Sequence, residues 1–346
     1  MLQRAEIMRL GSAAPGVGAA PIVVDMGEGA VRAVQARKRG EPRVCCYPAL
    51  HDAIGQADES AACLAGVLDR HGFVGSRVVL IAPRRLTRAS LVAVPRAAEG
   101  VPIDAIVRAE VARVHGIDDG FEVVKWPLPR SSDATGEAGV MVQAIEHKPA
   151  LGVVRALERQ GLVVESLLPV TPLLTRSAVA MGITGSGMSV LIEAGWRDAY
   201  VSALIAGVCV YQRTLSGVGL GAVLAQALDD GADAADAIES EGGRLAGVTD
   251  GGLVSRSAAA VADQLGSEAK RVSEYASRRY RGHQLGAALL SGDLWDVPGA
   301  EARVAASVGA AARVLRPGAL LGAEAPYAPG FGAAIAAAAF ATGVAA

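Results

Sequence analysis

The sequence predicts an α/β protein built on a duplicated fold, with a small α/β subdomain inserted into its first half. Three observations carry that prediction: an apolar hairpin that occurs twice, an acid-x-Gly turn at the same place in both copies, and an ordered block of strand and helix signals between them. The first hairpin runs from Ile22 to Val34 as an apolar run, a turn and a second apolar run, and Val190 to Ser202 has the same form. Asp25 and Glu193 stand at equivalent points, since 193 − 25 = 168, and so do Gly27 and Gly195, since 195 − 27 = 168. Each copy continues into a third β-like run, Arg43 to Pro48 in the first and Val208 to Leu215 in the second. Repetition of a whole supersecondary unit says more about the fold than any single motif inside it.

The turn chemistry suits a phosphate ligand. Glycine lets backbone N–H groups come close to phosphate oxygens, while the acid can position a hydrated metal ion. Taken alone, acid-x-Gly after a strand occurs by chance in many β-turns. The matched offset gives it weight.

Between the copies, Arg77 to Ala82 and Leu91 to Pro95 read as strands, and Ile103, Ile106, Val107, Val111 and Val114 recur at helical spacing behind Pro102. Glu110 and Arg113 lie away from that apolar stripe. Phe121 to Trp126 and Val140 to Ile145 are two further strands around the polar loop Arg130 to Gly139. Leu151, Val154 and Leu157 mark a second helix stopping at Gly161, and Leu162 to Leu168 returns as a strand. A long helix begins near Leu253 and closes on Arg278, Arg279 and Arg281, cations that a helix C-terminus favours through its dipole.

Composition narrows the functional classes. At 346 residues, 51% hydrophobic and 20% charged, the chain can bury a substantial core without disulfides or metal. Its 33 Lys+Arg against 35 Asp+Glu provide no field to attract nucleic acid or an anionic membrane. Cys45, Cys46, Cys63 and Cys209 form no Cys-x-x-Cys pair and the five histidines have no ligand spacing, so reduced structural thiols and no metal site are expected. Arg4 and Arg9 are interrupted by Glu6 and followed by no signal-like apolar block, and the uncharged run Phe331 to Ala346 reads as a buried helix rather than a membrane span. No direct membrane insertion is expected.

The repeated three-stranded meander resembles the actin-like (ribonuclease H-like) fold of actin, Hsp70 and sugar kinases, in which two such turns face each other across a cleft and hold ATP. The intervening block resembles the inserted subdomain of the PilM-like family of type IV pilus assembly proteins, related to FtsA. The matching pieces are Leu91 to Pro95, Ala105 to Val114 with Glu110, Val140 to Glu146, and Ala156 to Leu162. Leu289-Leu290-Ser291-Gly292 with Val297-Pro298-Gly299 resembles the family's adenosine turn, and Ala325 to Ala338 its closing helix; the resemblance spans roughly 21–340. It implies a flexible segment 1–20, a first actin-like domain of 21–82 with 166–186 and 318–346, a partner-binding insert at 83–165, and a second actin-like domain at 187–317.

The same resemblance makes Asp25, Gly27, Glu193, Gly195, Ser291 and Gly292 the nucleotide-cleft positions, with ATP and Mg as cofactors held weakly or not at all. Glu28 replaces a small hydroxyl residue, Trp196-Arg197-Asp198 replaces small phosphate-wrapping residues, and Ser291-Gly292-Asp293 replaces consecutive glycines. Bulk and negative charge both oppose a triphosphate. No general base paired with an attacking water is evident, and no catalytic residue is assigned. His147 with Lys148 reads as a solvated loop pair, and Arg84, Arg85 and Arg88 as an exposed basic turn.

The implied role is a cytoplasmic scaffold, peripheral to the inner membrane, of a type IV pilus or type II secretion-like platform. It binds the cytoplasmic tail of a PilN-like bitopic membrane protein in a groove lined by Val78 to Pro95 and by Ala105 to Val114. A pilus assembly ATPase and a homo-oligomer or ring are further contacts the family allows. The alternatives are an ATP-dependent small-molecule kinase or ATPase of the superfamily, and an FtsA-like cell-division polymer subunit.

Overall fold

The computed structural model describes residues 19–27, 29–37, 39–48, 54–82, 84–95, 102–117, 120–130, 137–185, 187–230, 252–322 and 327–343. Glu28, most of the expected flexible segment 1–20, Pro83, Glu324 and the start of the Ala325 to Ala338 stretch lie outside the described residues.

Both halves repeat one plan. In the first, β1 (Ile22–Met26) pairs antiparallel with β2 (Ala30–Gln35), which pairs antiparallel with β3 (Arg43–Pro48). β4 (Arg77–Ile81) lies parallel to β1, and β8 (Val163–Leu168) parallel to β4, giving the order β3-β2-β1-β4-β8. In the second, β9 (Met188–Ala194), β10 (Asp198–Ile205) and β11 (Val208–Ser216) form the matching meander. β12 (Leu285–Ser291) and β13 (Ala311–Val314) then add in parallel, in the order β11-β10-β9-β12-β13. Central strands are buried on both faces, which is why β1 and β9 read as continuous apolar runs interrupted only by Ser189 and the acids Asp25 and Glu193.

Helices fill three layers around the sheets. α1 (Ala57–Arg70) and α3 (His147–Arg159) pack together on the outer face of the first sheet; Leu64, Val67, Val153 and Leu157 share a core with Val24 and Leu80. α5 (Leu220–Asp229), α6 (Leu253–Arg279) and α7 (Ala300–Val308) cover the outer face of the second, where Ala258, Val261, Leu265, Ala269, Val272 and Ala276 set one apolar stripe on α6. Between the sheets lie α4 (Val170–Ala180) and α8 (Gly332–Ala341), in a core that takes Val23, Val79 and Ile81 from one sheet and Leu191, Leu204 and Leu289 from the other. A helix sandwiched on all sides must be apolar all round, and alanine keeps it thin; Gly332 to Phe340 are all buried.

The insert is a three-stranded sheet, β5 (Thr87–Pro95), β7 (Glu137–Glu146) and β6 (Phe121–Pro127) in the order β5-β7-β6, backed by α2 (Ile103–His115). Val92, Val94, Val107, Val111, Phe121 and Val142 form its own core. The sequence grouped α3 and the start of β8 with this insert. Here α3 belongs to the core of the first sheet, and the separate small core ends with β7, because α3's apolar face meets α1 rather than α2. Leu162 N–H bonds back to the Leu157 carbonyl at 3.1 Å, and Gly161 takes the left-handed φ of +78° that this helix ending needs.

Candidate functional site: a cleft closed by crossed charges

The two turns expected to face each other do so. Gly27 and Gly29 from the β1–β2 turn line one cleft with Gly195 and Trp196 from the β9–β10 turn, joined by Arg32, Arg84, Gly292, Asp293 and Gly330. Asp25 and Glu193 end the buried strands β1 and β9 beneath these turns, 1% and 2% exposed. Asp25 lies opposite Arg32 in the β1–β2 register, and Glu193 lies opposite Tyr200 in the β9–β10 register. Ser291 is buried at the end of β12, its carbonyl accepting from Trp295 Nε1 at 2.8 Å. Gly292 follows with φ +108°, where a Cβ would collide with the Ala194 carbonyl, so the approach of β12 to the second turn needs glycine.

Two arginines that the sequence did not mark as site residues occupy the cleft. Arg84, in a short 3-10 turn (Arg84–Leu86) after β4, reaches across to Glu193, with Nε 2.6 Å from Oε1 and Nη2 on the same oxygen. The side chains are 17% and 3% exposed, so the expectation of an exposed basic turn fails for Arg84: its partner lies in the other half of the chain. Arg88, in the same cluster, pairs at 3.0 Å with Glu146. Arg32 forms the second pair, with Asp293, and its guanidinium lies over the Phe331 ring, 5.9 Å from the centroid. Burial works against the charge on Arg84, yet the Glu193 and Asp25 carboxylates outweigh it and raise the group above its ordinary value. Arg32 is raised in the same way, burial being overcome by Asp293.

Measured against a Mg-nucleotide, these residues are a poor fit. The space among them amounts to about 10 Å³, roughly what one water requires. The Trp196 ring lies against Gly29, where any Cβ would strike it, and packs beside Gly221. The first N–H groups of α5 are already used, Leu220 N–H donating to the Gly195 carbonyl at 3.0 Å and Gly221 N–H to that of Trp196 at 2.7 Å. A helix N-terminus can hold an anion only with free donors, and these are spent on the turn itself. Arg197 is exposed beside it. Asp25 keeps one oxygen, Oδ2, with no hydrogen-bond partner among the described residues, a place for a water or small cation rather than for a triphosphate. Among the described residues no group of three or more His, Cys, Asp or Glu is arranged to hold a metal ion.

The remaining expected residues are dispersed. His147 opens α3 and lies 3.5 Å from Glu122 at the surface, and it is not among the residues that line the cleft. The four cysteines are free, Cys45 and Cys209 being buried. The segment Val78 to Ile81 cannot line a groove, since β4 is paired on both sides and fully buried.

No known family model and no curated protein matches the sequence. Among solved structures, a chain of the PilM–PilN type IV pilus biogenesis complex is 16% identical, with 94% of this chain and 99% of that one covered at a TM-score of 0.71. The ethanolamine utilization protein EutJ from Carboxydothermus hydrogenoformans is 14% identical, covering 93% of this chain and 90% of its own, at 0.53. A ROK family glucokinase from Streptomyces griseus, in complex with glucose and AMPPNP, covers 94% and 99% at only 0.47, too loose a likeness to carry a reading. At such identities the likeness is one of fold: the chain has the duplicated actin-like α/β fold, in a form similar to PilM.

Proposed function

We propose that the protein is a scaffold of a type IV pilus or type II secretion-like assembly platform, binding the cytoplasmic tail of a PilN-like bitopic membrane protein and performing no nucleotide turnover. The likeness to the PilM–PilN complex carries this reading, since it spans 94% of this chain and 99% of that one. The insert also has what extended-peptide recognition needs. Among the described residues β6 pairs with β7 alone and ends its sheet, while β5, at the other end, lies against β11. Among the described residues no helix is long and apolar enough to cross a membrane, so attachment at the inner membrane comes through the partner on this reading. The filled cleft favours a scaffold over the kinase and ATPase alternatives, and ATP with Mg, if held at all, is held weakly.

The test is capture from the native membrane fraction, comparing the whole protein with a variant lacking residues 87–146, β5 through β7, which keeps Arg84, α3 and β8 in place. The expected result is a bitopic protein retained by the whole chain, released by a synthetic peptide of its cytoplasmic tail, and missing with the variant. Retention of the same protein by a folded deletion variant would place the groove elsewhere.

A further inference from the structure

The charge distribution across the cleft is one-sided. Both cations, Arg32 and Arg84, come from the first half, and both acids that grip them, Asp293 and Glu193, come from the second. The repeat shows where the two halves differ. Arg32 and Tyr200 are equivalent positions, since 200 − 32 = 168, the offset that also relates Asp25 to Glu193. The first half thus has a cation where the second has a phenol, and that phenol also reaches across: Tyr200 O–H donates to the Arg84 carbonyl at 3.0 Å. Arg84 and Asp293 both lie in short 3-10 turns that follow equivalent strands, β4 and β12. The local geometry has no slack. A Cβ at Gly330 would strike Asp293, and one at Gly195 would lie 3.3 Å from Arg84 Cδ.

We propose that Arg84–Glu193 and Arg32–Asp293 form an interdomain latch that holds the two halves at one fixed closure without a nucleotide. This rests on the reading of the cleft as unsuited to ATP and deepens it, because the side chains that exclude the phosphates also replace them as the bridge. A ligand entering here would have to separate two buried pairs first, and a buried charge deprived of its partner is strongly unfavourable. The halves of this protein therefore do not open and close with nucleotide state. They present the insert and its neighbouring surfaces in one arrangement.

Hydrogen exchange on the full-length protein tests the latch, read at residues 22–35, 188–205 and 285–296. In the native protein these segments exchange slowly, and millimolar Mg-ATP leaves them unchanged. In the double variant Glu193→Gln, Asp293→Asn, exchange at all three segments rises at least about tenfold while the middle of α6 keeps its protection. Arg84→Lys, which retains the charge but loses the forked contact, gives a smaller rise in the same segments and serves if the double variant does not fold. Unchanged exchange in whichever of these variants folds, or Mg-ATP protection of the native cleft, overturns the proposal. The tail-capture experiment is a separate readout: a failed latch with the partner still captured leaves the scaffold reading standing, and lost capture with an intact latch removes only that reading.

Discussion

The two hairpin turns that face each other across the cleft share a backbone plan and differ in charge. On the first side the strands β1 and β2 place Asp25 beside Arg32; on the second, β9 and β10 place Glu193 beside Tyr200, in the same antiparallel register. Backbone equivalence follows from apolar runs of similar length and from glycine-containing turns, which local sequence sets. Charge complementarity is set by residues far apart in the chain, and it need not be symmetric. A duplicated fold can thus keep its architecture while one half supplies the arginines of the cleft and the other the carboxylates that pair with them.

The largest expected effect comes from unbalancing that complementarity. Arg84→Ala leaves the Glu193 carboxylate buried beside Asp25 with no counter-charge, and removal of one partner of such a pair costs about 3–5 kcal/mol. Chemical denaturation of the single variant should show a loss of that order, and Arg84→Ala combined with Glu193→Gln should recover part of it. A double variant as destabilised as the sum of its single variants would mean that the two residues are not coupled. Gly292→Ala tests backbone rather than charge. With φ at +108° and the Ala194 carbonyl in the way, alanine there should cost about 1–3 kcal/mol, read from the same denaturation curves. Gly309→Ala, which also has positive φ but open space around it, should cost less.

Comparing the sides also shows why some of the site was readable in the sequence and some was not. Asp25 and Glu193 announced themselves because each interrupts an apolar strand before a glycine turn, and the offset linked them. The insert's strands and α2 were visible in the same way, through their own periodicity. Arg84 was not, because a basic cluster after a strand normally faces solvent and its partner is 109 positions away. Arg32 and Asp293 are separated by 261. The one local signal was a polar residue inside a strand of each copy at the shared offset of 168, Arg32 and Tyr200. The placement of α3 was unreadable for a related reason: an amphipathic helix shows that it has an apolar face, without showing which core receives it.

The nucleotide comparison should give a small effect. Ligand stabilisation follows the ratio of free ligand to dissociation constant, so a cleft with room for about one water predicts a melting temperature almost unmoved by millimolar Mg-ATP. A rise of several degrees that vanishes in Asp25→Ala would show that the cleft opens for ATP and that Trp196 and the arginines give way. That outcome would reverse the comparison, making the charge asymmetry a closed state of a working site.

The smallest effect sharpens a different contrast, between the outer meander strands β3 and β11. Each carries a buried thiol. Burial pushes Cys45 up to about 11 and Cys209 up to about 12, from an ordinary value of 9.0. Both stay protonated in the folded protein where an unfolded chain would already ionise them. The unfolded state therefore binds fewer protons, and their contribution to stability is full below about pH 9 and declines as pH rises towards the folded values. A thiolate is needed for alkylation, so at pH 8 maleimide should label neither cysteine in the native protein. The two differ in what covers them. Among the described residues no strand lies beyond β3 in its sheet, whereas β11 is covered by the insert, Trp126 Nε1 donating to the Cys209 carbonyl at 2.7 Å and Gln143 Nε2 to Gln212 Oε1 at 2.8 Å. Trp126→Ala should thus raise labelling at Cys209 and leave Cys45 as it was, measured by mass spectrometry of the labelled peptides. Equal labelling of both would show that the variant loosens the whole molecule, and no change at either would show that the insert does not shield β11.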